Sequence, residues 1–417
     1  MSAHDQAPAM PPTVVCLASF EKGAELLREA RRLGWRVALL TVRALEHAAS
    51  WPRESLDEVF TLPDLAHLPD VIPAVAHLAR ERRIERVIPL DDYDVETAAA
   101  LREHLRLPGM GASLARRFRD KLAMRVAARE TGIPVPEFVG AINDAAVGAF
   151  VQRVPPPWLL KPRSEVSTIG IARIESADEL WPRLDALGDR RSYHLLEQFA
   201  PGGVFHVDSI AEGGRVLFAE AHGYFRPPLE VFHHGGMAVT RTLSREGEQA
   251  AALRELNARV LAALGMERGV AHVECIQGAG GELFFLEAGA RVGGAHTAEM
   301  VEAATGVNLW REWARLELGE APYALPERRH DYGGVIITLA RQEHPDTSAY
   351  TEAEIVYRVE RPHHAGFVVA SPDQARVEQL LREYGTRFAQ DFHAVLPPVT
   401  DPRAVRDAHH AEEHPAQ

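Results

Sequence analysis

The apolar residues of the chain recur with two periodicities, which together predict an α/β protein. Leu26, Leu27, Ala30 and Leu33 follow helical spacing, and Gly34 comes next as a stop signal. A second amphipathic helix is expected at 71–83. Short continuous apolar runs, typical of buried strands, occur at 13–19, 36–41, 58–61 and 86–90. This alternation predicts a doubly wound parallel sheet over about the first 110 residues.

The pattern then changes to a second region in which helices and strands are less regular. A basic amphipathic helix is expected at 113–131, where Gly132 and Pro134 end it, and strands alternate with helices from 138 to 210. A helix at 247–264 precedes a hairpin whose arms, 270–276 and 282–287, are joined by a glycine-rich turn. Further strands at 333–340, 355–358 and 367–370, with a helix at 372–384, predict a small C-terminal α+β lobe.

The predicted hairpin carries two glutamates, Glu274 and Glu287, one on each arm. In the register that pairs Ile276 with Leu283, Glu287 lies opposite His272. Both acids then share one face of the sheet as diagonal neighbours about 7–8 Å apart at Cα. Two carboxylates at this separation can share a divalent cation.

Composition excludes several classes of protein. The 417 residues carry a net charge of −13, which argues against nucleic-acid binding. The 46% hydrophobic content contains no apolar run near the ~20 residues of a membrane-spanning helix. Two cysteines, Cys16 and Cys275, rule out a disulfide scaffold and suit a reducing compartment. We expect a cytoplasmic protein whose first 12 residues form a Pro/Ala-rich disordered tail without a signal peptide.

Lysine is rare in this arginine-rich chain and occurs only as Lys22, Lys121 and Lys161. A lysine kept against this bias hints at a need for a compact ammonium group. We predict that Lys22 lies in solvent on the first helix. Aspartates at 91, 92 and 94 follow a strand and could line a cleft, although helix capping is the more economical interpretation.

Six charged residues form the most informative set, although each alone is more often a surface residue. Mg²⁺ prefers carboxylate and phosphate oxygens, and lysines supply point charges to phosphoryl groups. The set therefore indicates a site for a phosphate-bearing ligand and its metal. Its members are Lys121, Lys161, Glu197, Glu274, Glu287 and Arg291.

Four stretches around these residues, in their order and spacing, resemble the ATP-grasp superfamily over roughly residues 13–400. The stretches are Phe118-Arg119-Asp120-Lys121, Leu159-Leu160-Lys161-Pro162, Leu195-Leu196-Glu197-Gln198-Phe199 with Gly202 and the later Val207-Asp208-Ser209, and Val273-Glu274 with Leu286-Glu287-Ala288-Gly289-Ala290-Arg291. The Glu-x-x-x-Arg form of the last stretch looks like the L-amino-acid ligase branch of carboxylate–amine ligases.

The resemblance implies an ATP-grasp fold, α+β in its ATP-binding region. An N-terminal Rossmann-like domain would span 13–110 and the ATP-grasp domain 111–322, with a lid subdomain at about 122–200. A small lobe would span 323–400, and a polar tail 401–417.

The resemblance also implies roles for individual residues. Glu274 and Glu287 would bind Mg²⁺ or Mn²⁺, and Arg291 would act on an acyl phosphate as the catalytic residue and contact substrate. The residues implied for ATP are Lys121, Lys161, Ser164, Ser167, Thr168, Gly170, Glu197, Gln198 and Phe199. The residues implied to border the substrate, besides Arg291, are Gly294, Ala295 and His296.

The chain departs from the family pattern at three positions. Gly289 stands where most members have a metal-binding Asn, and Gly170 is the single glycine of the 164–170 lid loop. Val204 occupies a position often taken by a ribose-binding Glu. The phosphate contacts of the lid loop are then expected from hydroxyls and backbone amides.

The implied activity is ATP-dependent joining of a carboxylate, expected to be that of an amino acid, to an amine, through an acyl phosphate, with release of ADP and phosphate. Its partners would be small-molecule substrates, with no nucleic acid and no membrane, and a homodimer is left open. Two alternatives remain: a biotin-carboxylase-like or other ATP-grasp carboxylation or ligation, and a nucleotide-binding regulator without chemistry.

Overall fold

The computed structural model describes residues 10–166 and 168–395, so Ser167, residues 1–9 of the predicted 1–12 tail and the predicted tail at 401–417 lie outside the described residues. The 1–12 tail was predicted one residue too long, because the first strand already begins at Pro12. The chain divides into two compact units. The first comprises residues 1–116 and 310–324, and the second comprises 117–309 and 325–417. This division is coarser than the expected domain ranges, which stay a prediction.

The first unit contains a four-stranded parallel sheet with strand order β3–β2–β1–β4. This confirms the α/β prediction. Helix α2 ends at Leu78 rather than at residue 83, because strand β4 already begins at Arg83. The elements are β1 (Pro12–Ala18), α1 (Ala24–Arg32), β2 (Arg36–Val42), β3 (Glu58–Leu62), α2 (Leu68–Leu78), β4 (Arg83–Pro89), α3 (Val95–Leu105) and α4 (Ala112–Ala115).

Lys22, Asp91 and Asp94 make ion pairs and hydrogen bonds within this unit. Lys22 precedes α1 rather than lying on it, and its partly exposed ammonium pairs with the buried carboxylate of Asp91. Asp91 also accepts a hydrogen bond from the backbone N–H of Tyr93, which confirms the capping interpretation for this residue, whereas the Asp94 side chain does not cap α3. Asp94 accepts from the backbone N–H and the hydroxyl of Ser19 at 3.0 and 2.5 Å.

In the second unit, an antiparallel four-stranded sheet has the order β5–β8–β6–β7. The single helix predicted at 113–131 is wrong, because the chain leaves α4 and starts α5 anew at Lys121. The Asp120 side chain accepts from the backbone N–H groups of Leu122 and Ala123 and so caps the new helix. The elements are α5 (Lys121–Glu130), β5 (Phe138–Gly140), α6 (Asp144–Arg153), β6 (Trp158–Pro162), β7 (Ala172–Ile174), α7 (Ala177–Leu187) and β8 (His194–Gln198).

The same unit holds an antiparallel eight-stranded sheet, ordered β13–β12–β9–β10–β11–β14–β16–β15. Its strands are β9 (Gly203–Glu212), β10 (Arg215–Tyr224), β11 (Ala238–Thr242), β12 (Arg268–Gln277), β13 (Leu283–Gly289), β14 (Tyr332–Leu339), β15 (Ile355–Arg358) and β16 (His364–Ser371). The remaining helices of the chain are α8 (Pro228–His234), α9 (Glu248–Leu264), α10 (Thr297–Thr305), α11 (Leu309–Leu318) and α12 (Gln374–Asp391). Helix α12 continues seven residues beyond its predicted end, because Phe388 packs in an aromatic core with Tyr350 and Phe367.

The predicted hairpin exists as β12 and β13, but the predicted register is wrong. Ile276 pairs with Phe284, and a β-bulge between Glu274 and Cys275 shifts the pairing by one further residue. Glu274 therefore lies directly opposite Glu287 rather than diagonal to it. Directly opposed residues are closer than diagonal ones, so the register brings the two acids nearer together than expected.

None of the helices described at 10–166 and 168–395 combines the length and apolar character needed to cross a membrane.

Candidate active site

Lys121 begins helix α5 and joins the loop after β6 to strand β13. Its ammonium donates to the backbone carbonyl of Glu165 at 2.6 Å and to Glu287 Oε1 at 3.2 Å. The loop is tied to the same helix end a second time, because the Arg163 guanidinium pairs with the capping Asp120 carboxylate. The Lys121 side chain is buried, so its charge is directed at partners within the protein.

Lys161 and Glu197 lie on the neighbouring strands β6 and β8, diagonal to each other on one face. Lys161 donates to Glu197 Oε1. Arg125 of helix α5 donates through Nε to the other oxygen, Oε2, at 2.7 Å, and through Nη1 to the carbonyl of Leu286. Glu197 and Arg125 are each only 1% exposed.

Sequence reasoning missed Arg125. It follows Lys121 by four residues on the same helix, so it lies on the same face one turn further on. This helical spacing from Lys121 is the feature of the sequence that could have identified Arg125. Arg125 joins α5 to the strand of Glu197 and to the residue before Glu287, and so connects the elements that carry three predicted site residues.

Lys161, Glu197 and Arg125 form a buried triad, in which burial and the neighbouring charges shift the pKa values of Lys161 and Glu197 in opposite directions. Burial lowers the pKa of Lys161, and the Glu197 charge only partly offsets that effect. Burial would raise the pKa of Glu197, but the charges of Arg125 and Lys161 outweigh it and lower that pKa. The carboxyl group therefore stays ionised between its two cations.

The two facing glutamates form a donor set that fits a hard divalent cation. Each offers carboxylate oxygens, each side chain is 25–30% exposed, and they lie opposite each other on adjacent strands. Such oxygens suit Mg²⁺ or Mn²⁺, which complete their coordination with water and phosphate. Gly289, at the end of β13, contributes no side-chain oxygen.

Behind Glu274 lies a buried cluster of three histidines around Asp208. Asp208 Oδ2 is 2.7 Å from His206 Nδ1, and its Oδ1 is 2.9 Å from His272 Nδ1. His222 stacks on His206 with ring centroids 4.8 Å apart. Sequence reasoning assigned no role to this cluster, because its members come from three strands that pair only in the folded sheet.

The pKa values in the cluster separate charged from neutral groups. Burial alone would lower the pKa of His272, but Asp208 and Glu274 together raise it to about 9. Burial lowers the pKa of His206 despite the same Asp208. Burial would raise the pKa of Glu274, and His272 and Tyr224 overcome it and lower that pKa.

The predicted lid loop lies between β6 and β7. Ser164 is exposed, and its carbonyl accepts from Arg119. Thr168 and Gly170 have left-handed backbone with φ of 62° and 70°. The Thr168 hydroxyl is buried and has no hydrogen-bond partner among the described residues. Ser167, also predicted to bind phosphate, falls outside the described residues.

Gln198 and Phe199, predicted to hold adenine, follow Glu197 at the end of β8. Their backbone N–H groups donate to the carbonyls of Glu137 and Pro157. The Arg173 guanidinium lies 4.5 Å above the centre of the Phe199 ring. Both residues are partly exposed. Contact of these residues with adenine stays a prediction.

Arg291 and the loop after β13 lie beside the histidine cluster. The charge of Arg291 acts on both Tyr224 and His272. Gly294 is partly exposed and Ala295 is exposed. Ala295 and His296 are successive left-handed residues with φ of 51° and 58°. The imidazole of His296 lies 3.6 Å from Glu299 of α10.

The structure thus brings Lys121 to Glu287, Lys161 to Glu197, and Glu274 to Glu287. Arg125 and the backbone of Leu286 link the first two pairs. The ligand-binding roles of these residues stay predictions.

Solved structures with a similar fold cover nearly the whole chain. The L-amino acid ligase from Bacillus licheniformis has a TM-score of 0.73 at 18% identity and covers 93% of this chain and 99% of that one. The carboxyaminoimidazole ribonucleotide synthase of asperigillus clavatus, complexed with ATP, has a TM-score of 0.69 at 17% identity. It covers 90% of this chain and 99% of that one. At these identities the likeness establishes the fold.

Sequence relatives are found over part of the chain, whereas no protein-family model matches it. The L-arginine-specific L-amino acid ligase of Bacillus subtilis is 23% identical over 275 residues, which are 64% of this chain and 65% of that protein. The D-alanine–D-alanine ligase of Ectopseudomonas mendocina is 28% identical over 173 residues, 40% and 54% of the two chains. The chain thus matches between half and two thirds of the length of these relatives. In fold and in sequence, the chain is similar to carboxylate–amine ligases of the ATP-grasp superfamily, the family that its sequence motifs resemble.

Proposed function

We propose that this protein is an ATP-dependent ligase that joins the carboxylate of an amino acid to an amine and releases ADP and phosphate. The observation that carries the proposal is the hydrogen bond from Lys121 to Glu287, together with Glu274 directly opposite Glu287 on the neighbouring strand. It combines an ammonium group for phosphoryl oxygens with two carboxylates for a divalent cation.

The charges of the buried triad support a role in binding an anion. Lys161 and Arg125 carry two positive charges against the one negative charge of Glu197. One uncompensated positive charge in a buried site favours a phosphate group, because electrostatic interactions are stronger at low dielectric. We assign the polyphosphate of ATP to Lys161 and Lys121.

The proposed reaction has two steps. A carboxylate oxygen of the first substrate forms a bond to the γ-phosphorus while the bond between that phosphorus and the β–γ bridging oxygen breaks, which gives an acyl phosphate and ADP. The amine nitrogen then bonds to the acyl carbon, the carbon–oxygen bond to phosphate breaks, and the nitrogen loses a proton. The metal, when bound, would neutralise charge on the phosphoryl oxygens.

Within this scheme Arg291 is assigned to the negative charge that develops on the acyl group, and the loop around Ala295 to the side chain of the first substrate. A preorganised cation stabilises such charge without rearranging during the reaction. Two of the relatives act on amino acids by name, the L-arginine-specific L-amino acid ligase and the D-alanine–D-alanine ligases, which supports amino acids as substrates here.

The test is to incubate the protein with ATP, Mg²⁺ and pooled amino acids, and to identify the nucleotide product. ADP formation that depends on amino acids is expected. AMP as the product would contradict the proposal, and ADP formation that depends on bicarbonate alone would indicate a carboxylation instead. Absence of ATP turnover with a wide range of acids and amines would favour a regulator.

Two lysine variants provide a matched comparison. Lys161→Arg should lower ATP turnover by ~10²-fold or more, because a planar guanidinium replaces a compact ammonium beside Glu197. Lys22→Arg should be nearly silent, since arginine can keep the ion pair with Asp91 in the first unit. Equal effects of the two substitutions would remove the support that Lys161 gives to the proposal.

A further inference from the structure

Two side chains contact the same oxygen of Glu274. The Tyr224 hydroxyl donates to Oε1 at 3.0 Å, and His272 Nε2 lies 3.7 Å from that oxygen. Both contacts come from residues on the same sheet, on β10 and β12. The other oxygen, Oε2, is therefore the one that the arrangement leaves for a ligand.

A chain of hydrogen bonds fixes the orientation of His272, which lies behind Glu274. His272 Nδ1 is bonded to Asp208 Oδ1 at 2.9 Å, so the ring is oriented with Nε2 towards Glu274. The other Asp208 oxygen is bonded to His206, whose Nε2 is 3.0 Å from the Thr240 hydroxyl. Since Asp208, His206 and Thr240 are buried, these bonds are protected from exchange with water.

Ring packing limits the movement of the same residues. The His206 ring lies 5.0 Å from the Tyr224 ring and 4.9 Å from the His272 ring, centroid to centroid. Gly293 closes the cluster from the loop side, because a Cβ atom there would lie 2.7 Å from Asp208 Oδ1 and 2.8 Å from His272 Nδ1. Any side chain at position 293 would therefore have to displace Asp208 or His272.

We propose that Tyr224 and the Asp208–His272 pair are positioning residues that hold Glu274 in one orientation, with Oε2 presented to the divalent cation. This inference rests on the proposed function, in which Glu274 is a metal ligand. Partners that orient a metal ligand typically change metal affinity or activity by about 10- to 100-fold when they are removed.

The cluster itself also resembles a metal site in composition. His206, Asp208 and His272 offer ligand atoms within 4.8 Å of one another. However, each Nδ1 atom is at hydrogen-bond distance from a different oxygen of Asp208. The Nδ1 protons then occupy the positions that a metal would need, so we assign a hydrogen-bond network and expect no stoichiometric transition metal in the purified protein.

The test measures Mn²⁺ binding to the complex with ADP by calorimetry, which requires no substrate turnover. Tyr224→Phe removes only the hydroxyl and keeps the ring against His206. Its Mn²⁺ affinity should fall ~10-fold or more, while ADP binding without metal stays as in the wild type. Tyr384→Phe is the matched control, since Tyr384 is a buried tyrosine in the separate aromatic core around Phe367. It should leave both constants unchanged.

A second variant, Asp208→Asn, tests the longer connection through His272 and should also weaken Mn²⁺ binding. Where ligation is measurable, raising Mg²⁺ should restore kcat in Tyr224→Phe, because the hydroxyl is assigned to orienting Glu274 alone. Unchanged Mn²⁺ affinity in Tyr224→Phe would overturn the proposal. So would a stoichiometric transition metal that Asp208→Asn loses.

These outcomes are separate from those of the proposed function. A wild-type protein that binds Mn²⁺ with ADP tightly but ligates no acid would refute the ligase and leave the positioning role intact. If the wild-type protein ligates acids and Tyr224→Phe binds Mn²⁺ normally, the positioning role is refuted and the ligase proposal stands.

Discussion

Replacing Arg125 by methionine tests whether the buried triad stabilises the second unit. The substitution removes the 2.7 Å ion pair with Glu197 and the hydrogen bond to the Leu286 carbonyl, in a place where both charged side chains are 1% exposed. Breaking a buried ion pair by deleting one partner costs roughly 3–5 kcal/mol. Since Lys161 still pairs with Glu197, we expect a loss near the lower limit, about 3 kcal/mol.

The assay is urea unfolding followed by far-UV circular dichroism, with Arg129→Met as the control. Arg129 lies on the same helix, is exposed, and has its guanidinium 4.5 Å above the centre of the Phe138 ring. An exposed cation–π contact contributes about 0.5–1 kcal/mol, so the control should shift the midpoint much less. ATP binding should weaken in Arg125→Met and not in the control, because Arg125 joins the elements that carry Lys121, Glu197 and Glu287.

The double variant Arg125→Met with Glu197→Gln completes a thermodynamic cycle. Because the neutral amide no longer needs a cation, the double variant should lose less stability than the two single variants added together. If the losses were simply additive, or if Arg125→Met and Arg129→Met unfolded at the same urea concentration, the assigned ion pair would not stabilise this unit.

Three further predictions follow from the site and from the first unit. Glu287→Gln should lose turnover at low Mg²⁺ and regain part of it at high Mg²⁺ or with Mn²⁺, whereas Arg291→Ala should lose ~10²-fold in kcat/KM that no excess of metal restores; phosphate release across a magnesium series checks both. Ala295→Trp should change which acids are accepted while ATP affinity, measured by calorimetry, stays the same, because the side chain is exposed in the loop assigned to substrate. Burial, together with the charge of Asp91, raises the pKa of Asp94 from 3.8 to about 7, so the folded protein holds this proton more tightly than the unfolded chain. Stability should therefore fall as the pH rises from about 4 to 7, and thermal unfolding of Asp94→Asn should show a smaller fall.

Local patterns predicted the elements of the chain well, because hydrophobic periodicity and turn residues act over a few neighbouring positions. The strand at 355–358 has the predicted bounds, and helix α9 ends at Leu264 as predicted. The break before α5 was missed because Asp120 lies within an amphipathic pattern, and only its cap contacts distinguish a helix start from a helix interior.

Features that depend on pairing between distant segments were beyond the sequence. The glycine-rich turn between β12 and β13 permits several strand registers. The sequence therefore does not indicate the bulge that places Glu274 opposite Glu287. Tyr224 and Asp208 were not recognised as neighbours of Glu274, because β9 and β10 approach β12 only through the order of the eight-stranded sheet. Arg125 was the exception, since helical spacing from Lys121 would have identified it.

The crowded position of Gly293 bears on any attempt to change the substrate range by directed evolution. A library over the loop that follows Arg291 would discard most of its members if position 293 were randomised, because even alanine there collides with Asp208 and His272. The next glycine, Gly294, has open space where a Cβ atom would lie, and Ala295 is exposed. Diversity placed at 294 and 295, with 293 kept as glycine, would sample new side chains without displacing the histidine cluster.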